Sequence, residues 1–382
     1  MHDLNHRQSA IIATYVVAYG ALATVLTLPN LAVGESPDPM ALLRGVEEAR
    51  AAVRTGRVNM TVTSNQFLPS SQQDDLSLFV VFDGTKRTCR QKSRTLVFKP
   101  GSDGGASRPK ELAAMNNDRE KFVRAGLGYW RDIDLLSGWD GSNFAQYSDF
   151  IGASYRSHLS GTPDLVFDPR LLGLIGYYLM NYKLDDCFDL RSSPTISLVG
   201  SEQLVGHAVW HVLVRGPEDL ERHYWLEDKE GFRVFKHVYK HRSANVVTTS
   251  EYGGTARAGE LPVKVMTQEF DGKGLLTLET VIQVTKAEIN VRVDSTVGTL
   301  GSLGIPVGSA VTDERIHQRI GYWNGTGLSE NRSEVMKLAG QQEAEAQNRW
   351  PLKRWGLGVS AAIASLTLAA LALRRWRQIR AA

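Results

Sequence analysis

The end of the chain carries the feature that most constrains its architecture. Gly356 to Leu373 is an uninterrupted run of 18 residues without a charged side chain. As a helix it would be about 27 Å long, close to the hydrocarbon thickness of a bilayer. Trp355 precedes the run and Trp376 follows it, at the two interfaces that aromatic rings favour. We therefore predict a transmembrane helix over residues 355–373; a helix buried in a soluble core is the alternative.

The beginning of the chain is also apolar. Ser9 to Gly34 contains no charged residue, and Ala32 and Gly34 stand where a signal peptidase inspects small side chains. Residues 1–34 are predicted to be a secretory signal peptide, and an uncleaved anchor helix is the alternative. Export would place the main domain outside the cytoplasm, in the periplasm or at the cell surface. The Arg-rich tail, residues 374–382, would then lie in the cytoplasm, and it is too short to form a folded output domain.

Composition excludes several classes of protein. The 382 residues are 42% hydrophobic and 22% charged, which is too apolar for a disordered chain. The 44 basic and 41 acidic side chains nearly cancel, so the sequence has no electrostatic footprint for nucleic acid.

The middle of the chain reads as one helix followed by many strands. Asp38 and Pro39 begin an amphipathic helix that would run to Gly56, with apolar residues at three- and four-residue steps. Val58 to Ser64 and Leu76 to Gln91 are strand-like, with an Asp-Gly turn inside the second stretch. From residue 195 short strand-like runs recur, mostly bounded by turn residues: Thr195–Val199, Ala208–Arg215, Arg222–Glu227, Phe232–Lys240, Val246–Tyr252, Leu261–Phe270 and Leu275–Asn290. The pattern predicts an α+β fold, an antiparallel meander with helices on one face.

Two segments interrupt this pattern. Residues 100–192 contain the strongly apolar stretch Leu171 to Tyr182, which would either form a lid over a cavity or plug the open face of a curved sheet. Residues 329–354 are polar and helix-forming, and we predict that they form a stalk to the membrane. The extracytoplasmic domain is thereby assigned to residues 35–328.

No motif for a nucleophile, cofactor or phosphate occurs in the sequence. The pairs His207/His211 and His237/His241 have the spacing of a helical metal site, but both lie in strand context, where four residues span about 13 Å. We expect partly exposed sheet histidines, with no metal and no cofactor.

Cys89 and Cys187 are the two cysteines of the chain. In an exported protein they could form a disulfide that closes a long loop. Two separately buried thiols are the alternative, and the sequence favours the disulfide only slightly.

Several short segments together resemble bacterial envelope proteins related to the outer-membrane lipoprotein carriers, the LolA/LolB-like superfamily, and in particular its large uncharacterised members. The resemblance covers about residues 40–318. The segments that carry it are Ala49–Val53, Val58–Val62, Trp139–Phe144, Leu204–Val212, Tyr224–Glu227, Gly231–Phe235 and Ile305–Arg315.

The resemblance implies a half-open antiparallel barrel whose concave apolar face holds an acyl chain or another hydrophobic ligand, with helices on that face. A lipid or lipoprotein would be the ligand, and no matched motif contributes a catalytic residue. The pocket lining must then come from alternating strand positions and the apolar insertion, and the candidates are Trp210, Val212, Trp225, Phe235, Val265, Leu172, Ile175 and Tyr178. For residues of this kind, ordinary core is a more common role than ligand contact.

Three hypotheses follow from these features. The first is a membrane-anchored, non-catalytic domain that binds a hydrophobic ligand in a curved-sheet cavity. The second is a protein-interaction or sensing domain of the cell envelope with the same fold and a filled core. The third, a hydrolase with an unrecognised set of residues, has the weakest support because no motif favours it.

Overall fold

The structure is a computed structural model, and its description covers defined parts of the chain. These are residues 36–67, 72–99, 108–115, 118–149, 152–156, 167–174, 184, 188, 194–227, 232–242, 244–253 and 260–344. The chain divides into two compact units, Met1–Asp38 and Pro39–Ala382, and all of the secondary structure described below belongs to the second.

The described residues form a strand-rich fold with few helices. The strands are β1 Thr55–Gln66, β2 Gln72–Asp83, β3 Lys86–Phe98, β4 Gly128–Trp139, β5 Phe144–Ser148, β6 Gly152–Arg156, β7 Thr195–Leu204, β8 His207–Arg215, β9 Glu221–Leu226, β10 Val234–His241, β11 Ala244–Glu251, β12 Lys264–Phe270, β13 Leu276–Ile289, β14 Ala310–Asp313, β15 Gln318–Trp323 and β16 Leu328–Ser329. The α-helices are α1 Pro39–Ala51, α2 Arg108–Ala114 and α3 Arg119–Arg124; residues 332–344 are also helical, and Pro169–Leu171 and Leu300–Leu303 are 3-10 helices.

All sixteen described strands belong to one open, curved sheet. Their order is β16-β15-β14-β6-β5-β4-β3-β2-β1-β13-β12-β11-β10-β9-β8-β7. Two antiparallel meanders, β1 to β6 and β7 to β13, are joined where β1 pairs with β13. Within the described strands, β6 and β14 form the one parallel pair.

The predicted antiparallel-rich curved sheet is confirmed, and the structure extends it. Each strand-like run predicted from residue 195 onward corresponds to one of the strands β7 to β13. The interruption that we predicted at residues 100–192 is only partly correct, because β4, β5 and β6 continue the first meander there. The helix predicted to reach Gly56 ends at Ala51, and β1 begins at Thr55.

The sheet has two faces with different partners. We call the face that packs against α1 and residues 167–174 the inner face, and the opposite one the outer face. On the inner face, Leu43 and Val46 of α1 pack with Val212 and Leu226, and Leu172 packs in a second cluster around Met60 and Val62. On the outer face, a third cluster near β5, β6 and β14 contains Ala145, Ala153, Leu303, Ile305, Val311 and Trp323.

The terminal segments predicted from the sequence lie outside the described residues. This applies to the signal peptide over residues 1–34, the transmembrane helix over residues 355–373, the tail and part of the stalk, of which residues 332–344 are helical. Within the described ranges, no helix has both the length and the hydrophobicity needed to span a bilayer.

A buried ion network fixes the segment 167–174 to the inner face. Asp168 caps the 3-10 helix by accepting from the Arg170 backbone N–H at 3.0 Å, and its carboxylate lies 2.7 Å from Arg170 Nη2 and 3.3 Å from Arg87 Nη1. All three residues are less than 10% exposed. Burial alone would raise the pKa of Asp168, but the charges and hydrogen bonds of Arg87 and Arg170 outweigh it and hold that pKa below its ordinary value.

Replacing Asp168→Asn should therefore destabilise the fold strongly. The substitution leaves two buried arginines without the carboxylate that they share, and we expect a loss of about 3 to 5 kcal/mol in the free energy of unfolding at neutral pH. Asp134→Asn is the matched control, because it breaks an exposed ion pair with Arg90 and should cost less than about 1 kcal/mol. Urea denaturation measures both, and equal losses in the two variants would contradict the structural role of the network.

Acid should lower the stability of the wild-type fold through the carboxyl group of Asp168. The pKa of Asp168 is lower in the folded state than in the unfolded chain. Its contribution to the free energy of unfolding is therefore present at neutral pH and is lost as the pH falls below the pKa of about 3.9 that Asp has in the unfolded chain. Asp168→Asn should lack this part of the acid dependence, which unfolding curves between pH 5 and pH 2 would measure.

Candidate ligand cavity

One row of directly paired residues crosses the inner face of seven strands. The row runs from β11 to β4 through Ser250, Val265, Ile282, Val62, Leu76, Ser93 and Ile133. Because directly paired residues point to the same side of a sheet, all seven side chains share the inner face. Leu172 packs in the same cluster as Val265 and Ile282, so this part of the row is covered.

The other end of the row forms a cavity. A depression of about 850 Å³ lies along β1 to β4, and its lining is centred on Val62, Leu76, Ser93 and Ile133, which we call the trough. Such a volume falls within the range of about 300 to 1,000 Å³ that is typical of small-molecule sites. The other residues of the lining are Thr61, Thr63, Asp75, Ser77, Lys92, Arg94, Arg131, Asp132, Asp134, Ser148 and Asp149.

The two sides of the trough differ in polarity. On one side, the next inner row contains the buried Met60 and Leu78, which belong to the core cluster of Leu172. On the other side, the next inner positions are Ser64 on β1 and Arg131 on β4. The trough therefore changes from apolar to polar along the direction of the strands.

The polar side of this boundary continues as a ladder of hydroxyl groups, from a half-buried serine to three buried threonines. Ser64 pairs with Thr280, Thr280 with Thr267, and Thr267 with Thr248, across β1, β13, β12 and β11. Ser64 Oγ lies 3.2 Å from Thr280 Oγ1, and the same distance separates the hydroxyls of Thr267 and Thr248. The ladder satisfies these hydroxyl groups by hydrogen bonds between strands.

His237 extends this row onto β10 as a buried aromatic residue. It pairs with Thr248 and stacks on Tyr224 of β9, with 4.7 Å between the ring centroids. Neither ring nitrogen has a hydrogen-bond partner among the described residues. Burial, with smaller effects from Arg222 and His223, lowers the pKa of His237 to about 3, so the ring is neutral at physiological pH.

Arg50 connects α1 to the covered part of the inner face. Its side chain is only 2% exposed, and Nη2 donates to the Leu172 carbonyl oxygen at 3.1 Å and to the Tyr252 hydroxyl at 3.2 Å. The hydroxyl of Tyr252 in turn donates to the Val234 carbonyl oxygen. Helix α1, segment 167–174 and strand β10 are thus held together by one arginine.

The structure distributes the predicted site residues over both faces. Trp210 and Val212 pack with α1, Leu172 and Val265 lie in the covered part of the row, and Phe235 is buried between His207 and Tyr252. Trp225 lies on the outer face, because its strand neighbours Tyr224 and Leu226 point inward. None of these six residues is in the lining of the trough, so their contact with a ligand stays a prediction. Ile175 and Tyr178 lie outside the described residues.

The trough was missed in part because β4, one of its four strands, was not predicted from the sequence. The alternation of Val58, Met60 and Val62 was visible and correctly predicts β1. Ile133 belongs to β4, where the fully buried residues lie only at the two ends of the strand and apolar alternation is weak.

The histidine pairs lie on strands, as predicted, but not all are exposed. His237 is buried, whereas His207 and His211 keep partial exposure. Within the described ranges, no group of three or more His, Cys, Asp or Glu side chains is arranged to hold a metal ion.

Cys89 is a free thiol in the structure, and the bridge to Cys187 considered from the sequence stays a prediction. It lies on the inner face of β3, paired with Val80, and is packed in the core cluster of Met60 and Trp139. Burial raises the pKa of its thiol to about 12. Cys187 itself lies outside the described residues.

Cys89 should consequently resist alkylation in the folded protein. The thiolate is the reactive form, and burial suppresses both its formation and its access to reagent. Iodoacetamide at pH 8 should modify Cys89 only after unfolding in urea, as read by peptide mass spectrometry. Rapid modification of Cys89 in the native chain would contradict its placement in the core.

The fold has solved structural neighbours at low similarity. An outer membrane lipoprotein-sorting protein domain from Vibrio parahaemolyticus is 9% identical, with a TM-score of 0.38 over 70% of this chain and 99% of that chain. A LolA superfamily protein from Nitrosomonas europaea is 11% identical, with a TM-score of 0.36 over 69% and 98%. A DUF1329 family protein from Desulfovibrio piger is 10% identical, with a TM-score of 0.38 over 70% and 100%.

These neighbours include LolA-type proteins, the group that the sequence motifs also resemble. No family profile matches the chain, and no curated protein matches its sequence. At these identities and TM-scores the neighbours say nothing about what this chain binds, which must be argued from the cavity itself.

Proposed function

We propose that this chain is a membrane-anchored, extracytoplasmic and non-catalytic domain that binds a lipid, an acyl chain or another hydrophobic ligand in the trough. The observation that carries the proposal is the cavity of about 850 Å³ with Val62, Leu76 and Ile133 along its centre. An apolar ligand buried there would gain about 0.8 kcal/mol for each methylene removed from water. Export and anchoring rest on the apolar segments at the two ends of the sequence.

Much of the inner face is filled by other parts of the chain. A filled core is what the alternative hypothesis, a protein-interaction or sensing domain, predicts. Helix α1 and segment 167–174 occupy the space over β8 to β10 and over the row between Val265 and Val62. The trough favours ligand binding over that alternative because its central side chains Leu76 and Ile133 stay partly exposed in a concave surface.

Filling the trough should abolish binding without unfolding the protein. Ile133→Trp places a bulky ring in the cavity, and we expect at least about a tenfold loss of affinity for a fluorescent C16 fatty acid, the equivalent of about two buried methylenes. Val247→Trp is the matched control, because Val247 is a half-buried β-branched residue on the outer face of β11 and does not line the trough.

The measurement uses the full chain in amphipol, so that no free detergent competes for the cavity. Affinity should rise with chain length from C10 to C16, and both tryptophan variants should keep the wild-type circular dichroism spectrum. Equal affinity for Ile133→Trp and Val247→Trp, or affinity independent of chain length, would exclude the trough as the binding site.

The polarity of the trough further suggests how an amphiphile would lie in it. We expect the apolar end to face Met60 and Leu78, and the polar end to face Arg131. Arg131→Gln should then weaken binding of hexadecanoate more than binding of hexadecanol, because the lost charge acts on the carboxylate. The same loss for both ligands would show that Arg131 does not face the headgroup.

A further inference from the structure

One end of the sheet carries a row of exposed apolar side chains. The end of β1 pairs with the start of β13 at Gln66 and Leu278. The end of β3 pairs with the start of β4 at Phe98 and Gly128. Strand β2 is antiparallel to both β1 and β3, so these four strand ends lie at the same end of the sheet. The large apolar side chains exposed there, by 39% to 55%, form what we call the rim: Phe67, Phe98, Tyr129 and Leu275.

Local contacts hold the rim residues in their exposed positions. Phe98 packs edge to face against the buried Phe122 of α3, with 5.5 Å between the ring centroids. The backbone N–H of Leu275 donates to Asp271 Oδ1 at 2.9 Å, which closes the turn between β12 and β13. The exposure of these side chains is therefore part of the ordered fold, and neighbouring exposed apolar residues mark a surface for a partner.

The turns beyond β12 at the same end of the sheet are polar. The turn between β8 and β9 and the turn between β10 and β11 meet in an exposed ion pair of Glu218 with Arg242. Next to the rim, in contrast, lie three exposed basic side chains, Lys99, Arg124 and Lys273. The rim thus combines apolar side chains with neighbouring positive charge, the combination that binds at the surface of an anionic bilayer.

The helix of residues 332–344 passes from one end of β15 to the segment before β14. Its first residue, Arg332, lies over the ring of Tyr322, with 5.8 Å between the guanidinium carbon and the ring centroid. Further along, Met336 and Ala339 lie beside Gly308. A β-carbon at Gly308 would be 3.1 Å from Met336 Sδ and 3.7 Å from Ala339 Cβ.

The strand directions place Gly308 nearer to the rim than Tyr322. Tyr322 pairs with Ala310, the first residue of β14, and Gly308 precedes Ala310 by two residues. Strand β14 is parallel to β6, and β6 has the direction of β4, so β14 starts on the side of the rim. The helix of residues 332–344 therefore leads toward the end of the sheet that carries the rim.

The sequence after this helix indicates the partner. The predicted transmembrane helix begins at residue 355, outside the described residues, so only residues 345–354 separate the two helices. A segment of ten residues reaches at most about 35 Å when it is fully extended. The predicted bilayer is therefore close to the end of the sheet toward which the helix of residues 332–344 leads.

We propose that the rim docks on the bilayer that holds the predicted transmembrane helix, an inference that rests on the anchoring in the proposed function. In the docked state, the ring of Tyr129 lies at headgroup level, where amphipathic rings are favoured, and the three basic side chains contact lipid phosphates. On β4, Arg131 lies between Ile133 of the trough and Tyr129 of the rim. Docking therefore brings the polar side of the trough next to the headgroups of the bilayer.

Photo-crosslinking of the full chain in liposomes of phosphatidylcholine and phosphatidylglycerol, about 3:1, tests the docking. The photoreactive residue p-benzoylphenylalanine replaces Tyr129 or Leu275 in the rim, or Ile316 as the matched control. Ile316 is as exposed as Leu275, at 55%, but it lies in the turn between β14 and β15 at the opposite end of the sheet. The two ends are about 40 Å apart, the length of the 12 residues of β2. Peptide mass spectrometry should find at least about tenfold more phospholipid adduct at the rim positions than at Ile316.

Charged substitutions separate docking from mere proximity to the anchor. Phe67→Asp combined with Leu275→Asp should lower the adduct yield at Tyr129 at least about tenfold, because carboxylates resist burial and repel the anionic lipid. Ile316→Asp is the control and should leave that yield unchanged. Equal yields at the two ends of the sheet, or an adduct at Tyr129 that survives in the double variant, would overturn the proposal.

Flotation of the liposomes distinguishes this proposal from the proposed function. A chain that floats with the liposomes but forms no adduct at the rim is anchored and not docked there, which refutes the docking alone. A chain that does not float lacks the anchor, and both proposals then fail. Failure of the trough to bind a C16 fatty acid, with adducts still confined to the rim, would refute ligand binding and leave the docking in place.

Discussion

The pairing of β1 with β13 is the constraint on which the rest of the structure depends. It joins two meanders that are otherwise separate, and it places Val62 directly between Leu76 and Ile282. Side chains alternate along a strand, so a shift of one residue in this register would turn the inner row of β1 to the outer face. The bulge between Asn59 and Met60 skips Thr285 of β13 and keeps the inner faces aligned along the full pairing.

The width of the sheet explains why part of the inner face is packed and part is open. Fifteen spacings of about 4.8 Å make a sheet of roughly 70 Å, whereas the 13 residues of α1 extend only about 20 Å. Helix α1 and segment 167–174 therefore cover a limited number of strands, and they are fixed there by Arg50 and by the Arg87–Asp168 ion pair. The trough lies on β1 to β4, beyond this cover.

The strands that the sequence predicts best are those whose residues have the most uniform environment. In β9, alternating burial follows directly from alternating residue types, and both β8 and β9 were predicted nearly to their ends. In β4 the buried positions are Gly128 at one end and Ser137, Gly138 and Trp139 at the other, so most of the strand has no apolar face to recognise. The parallel pairing of β14 with β6 depends on residues that are far apart in the chain, and no local pattern indicates it.

The candidate site shows a different limit of sequence reasoning. Alternation indicates which residues of a strand share a face, but it does not indicate which face is covered or which strands adjoin. Trp225 was grouped with Trp210 among the alternating strand positions of the lining, yet the two side chains point to opposite sides. The row that forms the trough depends on pairings between β13, β1 and β2, and only the sheet order brings Ile282 next to Val62.

The order of the inner rows also determines what kind of ligand the sheet can accept. Along β1 the inner positions change from Val58 and Met60 in the core to Val62 in the trough and then to Ser64 in the hydroxyl ladder. The ladder hydroxyls are already paired with one another, so an apolar chain lying over them would gain little from their burial. A ligand that fits this sequence of rows is apolar where it meets Met60 and polar where it meets Ser64. Under the proposed function, the order of residues along the strands would therefore select for amphiphiles before any charged group makes a contact.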